Sequence, residues 1–115
     1  MKHLKKARKF GRKTDQRKAL MKSLASSFFI LGKIKTTEAK AKALRSSIER
    51  FLTKAKNPTL AHRRLLYAYF SERVVKKIIE HANAVSTRPG GYTRIIKMGE
   101  RSSDAARMAT MELVK

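Results

Sequence analysis

The sequence predicts a two-layer α+β domain. Its order is a helix, a strand, three helices and two strands, with the helices packed on a small mixed sheet and a basic extension ahead of them. Three observations carry this reading. Apolar residues recur at helical spacing in four segments between Thr14 and Ala84. The period changes to two after Gly91. Each helical segment has an apolar face that needs a covering layer, and the strands supply it.

Residues 1–13 have no sustained period and read as an extended or irregular extension ahead of a single body over 14–115. Thr14 and Asp15 are good helix-start residues, and Asp15 suits the positive end of a helix. Leu20, Leu24, Phe28 and Leu31 form the stripe of the first helix, and Gly32 stops it. Phe29 and Ile30 fall outside that stripe, so another element should cover them. Lys33-Ile34-Lys35-Thr36 alternates and is compatible with a strand. Thr37 caps a second helix whose stripe is Ala41, Leu44, Ile48, Phe51, Leu52 and Ala55, with Glu38 and Lys42 as an i,i+4 pair. Asn57-Pro58 ends it, and Pro58 is expected at the first position of a third helix. That helix carries Leu60, Ala61, Leu65 and Ala68. Ser71 caps a fourth, striped by Val74, Val75, Ile78, Ile79 and Ala82. Residues 85–91 form a loop. Strands follow over 92–98 and 107–114, paired antiparallel because sequential strands usually neighbour. The connection over 99–106 is too long for a tight turn. Met108 and Met111 fall on opposite faces of the last strand, so at least one packs in the core.

With 115 residues the chain is one domain, able to bury roughly 65% of its unfolded surface. Its charge is the unusual feature: 29 Lys and Arg against 8 Asp and Glu leave +21. Such a surplus opposes compaction and favours polyanionic partners. Cysteine is absent, which removes disulfides and thiolate metal sites. No apolar run approaches the ~20 residues that span a bilayer. The start has no apolar signal-peptide core. It resembles a transit peptide only in being basic and acid-poor, because the Ser enrichment is missing.

The first 22 residues concentrate the positive charge. Lys2, Lys5, Lys6, Arg8, Lys9, Arg12 and Lys13 precede any acid, and Arg17, Lys18 and Lys22 continue onto the first helix. A segment with so little to bury needs a partner that supplies negative charge. Folded RNA fits, because its phosphates crowd in grooves and junctions that a thin chain can enter. Arginine grips phosphate with two hydrogen bonds or stacks on a base, whereas lysine acts as a point charge. Phe10 has two readings, a base-stacking side chain or one docked on the protein's own core. Arg88-Pro89-Gly90-Gly91-Tyr92 reads as a loop whose glycines allow close approach, with Arg88 and Tyr92 facing outward. Arg94 and Lys97 fall on opposite strand faces, so only one can meet RNA from the sheet. His3, His62 and His81 lie far apart without carboxylates at ligand spacing, and read as surface or RNA-facing residues rather than metal ligands. No hydrolase signature is present.

Several segments resemble one family. They are Arg8-Lys9-Phe10-Gly11-Arg12 with Arg17-Lys18-Ala19-Leu20, Ile34-Lys35-Thr36-Thr37 with Ala39-Lys40-Ala41-Lys42 and Leu44-Arg45, and Arg63-Arg64-Leu65. Arg88-Pro89-Gly90-Gly91-Tyr92 with Arg94-Ile95, and the strand over 108–114, complete the set. In this order they resemble the bacterial large-subunit ribosomal protein seventeen family across essentially the whole chain. The resemblance departs at Ala7 and Gln16, where the family often has Gly and His, and at Leu4 and Lys6, where Arg is common. It implies a non-enzymatic structural constituent of the large ribosomal subunit, cytoplasmic and ribosome-bound. Such a protein binds and stabilises the large (23S) rRNA near the peptide tunnel exit, beside neighbouring large-subunit proteins. No cofactor, membrane or small-molecule substrate is expected.

The candidate rRNA-binding residues are Lys2, His3, Lys5, Lys6, Arg8, Lys9, Arg12, Lys13, Arg17, Lys18 and Lys22, then Lys35, Lys40, Lys42, Arg63, Arg64, Arg88, Tyr92 and Arg94. Two other classes fit the composition less well. An architectural DNA-binding protein would need a helix-turn-helix signature or an apolar wedge at a β-ribbon tip. A membrane-surface protein would need a free amphipathic basic helix, but the apolar stripe of the first helix is required by the core.

Overall fold

The computed structural model describes residues 8–114. Helix α1 (Thr14–Leu31) starts after Lys13, with Asp15 in its first turn accepting from the Gln16 N–H at 2.9 Å. It ends at Gly32, whose φ of +80° lets its N–H reach the Phe28 carbonyl at 2.7 Å. The buried face is turned from the expected stripe. Leu20 and Leu24 are half-buried and Leu31 is 70% exposed, while Phe29 is fully enclosed. The last turn of α1 meets α4 (Glu72–Ala84), where Phe29 stacks on His81 at 6.5 Å, and Phe29 also packs edge-on at 6.0 Å against Phe70, which lies just ahead of that helix. The covering element expected over Phe29 is therefore α4. His81 also leaves the surface reading, since its Nε2–H donates to the Phe29 carbonyl at 2.7 Å.

Strand β1 (Lys33–Thr37) points Ile34 inward and leads directly into α2 (Glu38–Lys56). Ala41, Leu44, Ile48, Leu52 and Ala55 of α2 are fully buried at helical spacing. Helix α3 (Leu60–Tyr69) departs from expectation twice. Thr59 is its cap, accepting from the His62 N–H at 3.3 Å, so Pro58 precedes the cap rather than opening the helix. Leu66 is its buried residue, whereas Leu60 and Leu65 are 65% and 53% exposed. A short helix that touches the body along one narrow side buries one apolar position per two turns, and the contact falls one residue beyond the expected stripe. In α4, Val74, Val75, Ile78 and Ala82 are buried as the pattern predicts.

Strands β2 (Thr93–Glu100) and β3 (Arg107–Leu113) complete a sheet of order β1-β3-β2. The expected mixed sheet is corrected: β1 and β2 each pair antiparallel with the central β3. They run parallel to each other but are separated by β3, so no parallel ladder forms. A bulge between Lys97 and Gly99 carries β2 past the expected end, and residues 101–106 close the hairpin through the Arg101 N–H and the Ala106 carbonyl at 2.8 Å. Met111 is buried and Met108 half-buried on the opposite face. Helices cover the inner face, which carries Ile34, Ala109, Met111 and Ile95. The outer face keeps Arg94, Ile96 and Met98 exposed.

One carboxylate ties the layers together. Glu49 of α2 accepts the backbone N–H groups of Tyr92 and Thr93 at 3.1 and 3.0 Å and the Thr93 hydroxyl at 2.8 Å. Lys56, two turns on, reaches the Arg88 carbonyl and the Tyr92 hydroxyl, with its ammonium 5.0 Å from the Tyr92 ring centre. Tyr92 is therefore 2% exposed, and the expectation that it faces outward is corrected. The loop is folded back onto α2 by these bonds, and the ring is enclosed.

Glu49→Ala should destabilise the protein by about 3 kcal/mol, because it strands two N–H groups at the start of β2. Urea unfolding checks this as a lower midpoint at unchanged slope. In the hairpin loop, Arg101 holds Asp104 through hydrogen bonds of 2.9 and 2.6 Å, and the Ala106 N–H adds one at 3.2 Å. These bonds lower the Asp104 carboxyl from 3.8 to about 2. Because the folded value is depressed, the contribution is complete above the ordinary carboxylate range and is lost as pH falls toward 2. An NMR titration should give Asp104 a midpoint near 2, rising toward 3.8 in Arg101→Gln. Overall stability should change little, since the pair is exposed.

Candidate nucleic-acid interface

The described part of the arm makes a tight turn before α1. The Arg12 N–H bonds the Lys9 carbonyl at 3.2 Å, with Phe10 and Gly11 between them at φ +53° and +63°. Two successive positive φ values suit a mirror-image turn. Glycine adopts that region freely, whereas a phenylalanine there carries strain of about 1–2 kcal/mol. The Arg12 Nη1 donates to the Phe10 carbonyl at 2.8 Å and braces the turn. Phe10 is thereby half-buried against the body.

The turn closes one side of a groove of about 520 Å³ between the arm, α1 and α2. From α1 come Arg17, Lys18 and Met21, one helical turn apart. From α2 come Ala39, Lys42, Ala43, Ser46, Ser47 and Arg50, which recur at three- and four-residue steps along one face. The small residues keep the floor low. Tyr69, at the end of α3, adds an aromatic ring that rests on Phe51 and Phe70 at 5.4 and 5.3 Å. The lining thus carries Arg8, Arg17, Lys18, Lys42 and Arg50 and no carboxylate. A smaller hollow of about 300 Å³ beside it shares Arg8, Ala39 and Lys42 and adds Arg107 together with the Glu38 carboxylate.

The carboxylate nearest the groove is already paired with one of its cations. Glu38 bonds Lys42 at 2.8 Å and lies 3.8 Å from Lys97. The hydrogen bond from Lys42 holds the Glu38 carboxyl below its ordinary value, aided by the charges of Lys42, Lys97 and Arg107. Arg94 pairs with Glu112 across β2 and β3, while Lys97 turns to the helix side, as strand alternation predicts. Among the described residues no ion pair involves the arm or α1. Opposite-charge neutralisation for Arg8, Arg12, Arg17, Lys18 and Lys22 must come from outside the body.

The predicted site residues therefore divide. Arg8, Arg17, Lys18 and Lys42 share the groove. Lys9, Arg12 and Lys13 form the turn and helix start beside it, and Lys22 is exposed one turn further along α1. Lys40 is half-buried near the start of α2, Lys35 lies exposed on the sheet, and Arg63 and Arg64 are exposed on α3. Arg88 is half-buried in the loop held by Lys56, and Tyr92 is enclosed. Lys2, His3, Lys5 and Lys6 lie outside the described residues. Sequence reasoning missed Arg50 and Tyr69. Arg50 carried a readable signal, since Lys42, Ser46 and Arg50 recur every four residues on the polar side of α2. Tyr69 carried none, because only the packing of α3 brings it to the groove.

No group of three His, Asp or Glu among the described residues could hold a metal ion, and no described helix is long and apolar enough to cross a membrane. Comparison with known proteins is direct. The sequence profile described as Ribosomal protein L17 matches residues 20–114, from within α1 to just past β3. The chain is 47% identical to the large ribosomal subunit protein bL17 of Gemmatimonas aurantiaca, across 99% of this chain and 98% of that protein. It is 47% identical to bL17 of Dictyoglomus thermophilum, across 99% of this chain and all of that one. For bL17 of Pelobacter propionicus the identity is 44%, across the whole of this chain and 92% of that protein. With the match running through every helix and strand, the chain belongs to the Ribosomal protein L17 family.

Proposed function

We propose that this protein is a non-catalytic constituent of the large ribosomal subunit that binds and stabilises the large rRNA, near the exit of the peptide tunnel. Its relatives are named as large ribosomal subunit proteins along nearly their full length. The observation that carries the RNA-binding reading is the charge of the groove, where Arg8, Arg17, Lys18 and Arg50 converge from the arm, α1 and α2 with no ion pair, and only Lys42 has a carboxylate partner. Phosphates supply the missing charge, and each one neutralised releases condensed counterions. In this reading the protein works in the cytoplasm, bound to the ribosome beside other large-subunit proteins.

The division of labour follows the charge. Residues 1–13, including Lys2, His3, Lys5 and Lys6, form the extension that enters between rRNA helices and offsets the repulsion of their phosphates. The body over 14–115 docks through Arg17, Lys18, Lys22, Lys35, Lys40, Lys42, Arg63, Arg64 and Arg88. Arg94 contributes from the sheet once Glu112 is exchanged for phosphate. These contacts position the protein and read no base sequence.

Deleting residues 1–13 should leave the body folded by circular dichroism, while weakening association with large-subunit rRNA fragments and flattening the salt dependence of binding. Unchanged salt dependence would remove the arm from the interface. Replacing Arg17 and Arg50 together by Gln should reduce the log–log salt slope by about 0.7–0.9 for each phosphate that is no longer neutralised. Structured rRNA should also outcompete duplex DNA at physiological salt; equal displacement would favour an architectural DNA-binding role.

A further inference from the structure

The geometry points to the groove between arm, α1 and α2 as a pocket for a single unpaired nucleotide of RNA, its base against Phe10, Met21 and Tyr69 and its phosphates on Arg17, Lys18 and Arg50. This deepens the rRNA-binding reading and rests on it. A purely electrostatic contact needs only exposed cations on a convex surface. Here the cations border a concavity of about 520 Å³ that also holds apolar and aromatic groups. That volume lies in the range of small-molecule sites, and a lining that mixes apolar and aromatic side chains with a few polar groups is what such sites share.

The apolar groups are held in place by the fold. Tyr69 rests on Phe51 and Phe70, yet remains 40% exposed at the groove. Phe10 is brought to the groove by a turn in which it takes the left-handed backbone region at φ +53°, where glycine is the unstrained choice. A bulky residue kept in that region is a mark of ligand clamps and switch segments. Ser46 and Ser47 supply hydroxyls that can donate to or accept from a base edge. Paired RNA cannot use such a site, because its bases are stacked inside a helix whose major groove is deep and narrow. A bulged or loop nucleotide can splay out, stack on an aromatic ring and leave its phosphates at the rim.

The full-length protein tests this with two RNA hairpins of equal length, one fully paired and one carrying a single bulged 2-aminopurine. Wild type should bind the bulged hairpin about 10-fold more tightly and quench the 2-aminopurine fluorescence by stacking. Phe10→Gly keeps the turn, which glycine favours, and should abolish both the preference and the quenching. Phe10→Tyr should retain both. Equal wild-type affinity for the two hairpins, or an unaltered preference in Phe10→Gly, would overturn the pocket and leave general rRNA binding standing. Release of both hairpins and of rRNA fragments at physiological salt would overturn the rRNA-binding reading itself.

Discussion

Carboxylates are the scarce resource of this protein, and the fold commits nearly all of them to itself. The sequence has 8 acidic residues against 29 Lys and Arg. Glu49 joins α2 to β2, Glu38 engages Lys42 and Lys97, and Glu112 holds Arg94. Along α4 Glu72 pairs with Lys76 and Glu80 with Lys77, Asp104 closes the hairpin loop with Arg101, and Asp15 stands at the positive end of α1. Among the described residues, the cations of the arm and α1 are left without an internal partner. Self-repulsion then works against the free body and favours polyanions, so the distribution of acids decides which face carries unpaired charge as much as the bases do.

Helix α2 is where the core and the groove meet. One side of it buries Ala41, Leu44, Ile48, Leu52 and Ala55 and touches the other helices and the whole sheet. Its partly shielded flank carries Glu49 and Lys56, which draw the loop over 88–92 onto the body. Its polar side, lined by Ala39, Ala43, Ser46 and Ser47, forms the floor of the groove. The apolar contacts that fix the helix therefore also fix the spacing between its cations and those of α1. A groove built this way inherits the rigidity of the core.

Much of this was legible in the chain. Alternation and helical spacing depend on local backbone geometry, so the seven elements and their order could be read directly, with Gly32 and Thr37 marking boundaries. The cationic arm and the four groove residues Arg8, Arg17, Lys18 and Lys42 were also readable, because charge is a property of composition. Other features were not. Leu31 and Leu65 look like core residues by spacing and are exposed, and although Phe29 is expected to be covered, spacing does not say that α4 covers it. Tyr92 reads as a contact residue, yet Glu49 and Lys56, distant in sequence, fold it inward.

What the sequence determined by itself is the set of elements, the excess of positive charge and the family, each carried by local pattern or by direct similarity. What only the tertiary structure decided is which of two adjacent apolar residues is buried and which cations share a groove with Phe10 and Tyr69. The physical reason is that period places a side chain on a face of its own element. Burial and convergence depend on which other element covers that face, and that is settled by contacts between residues far apart in the chain.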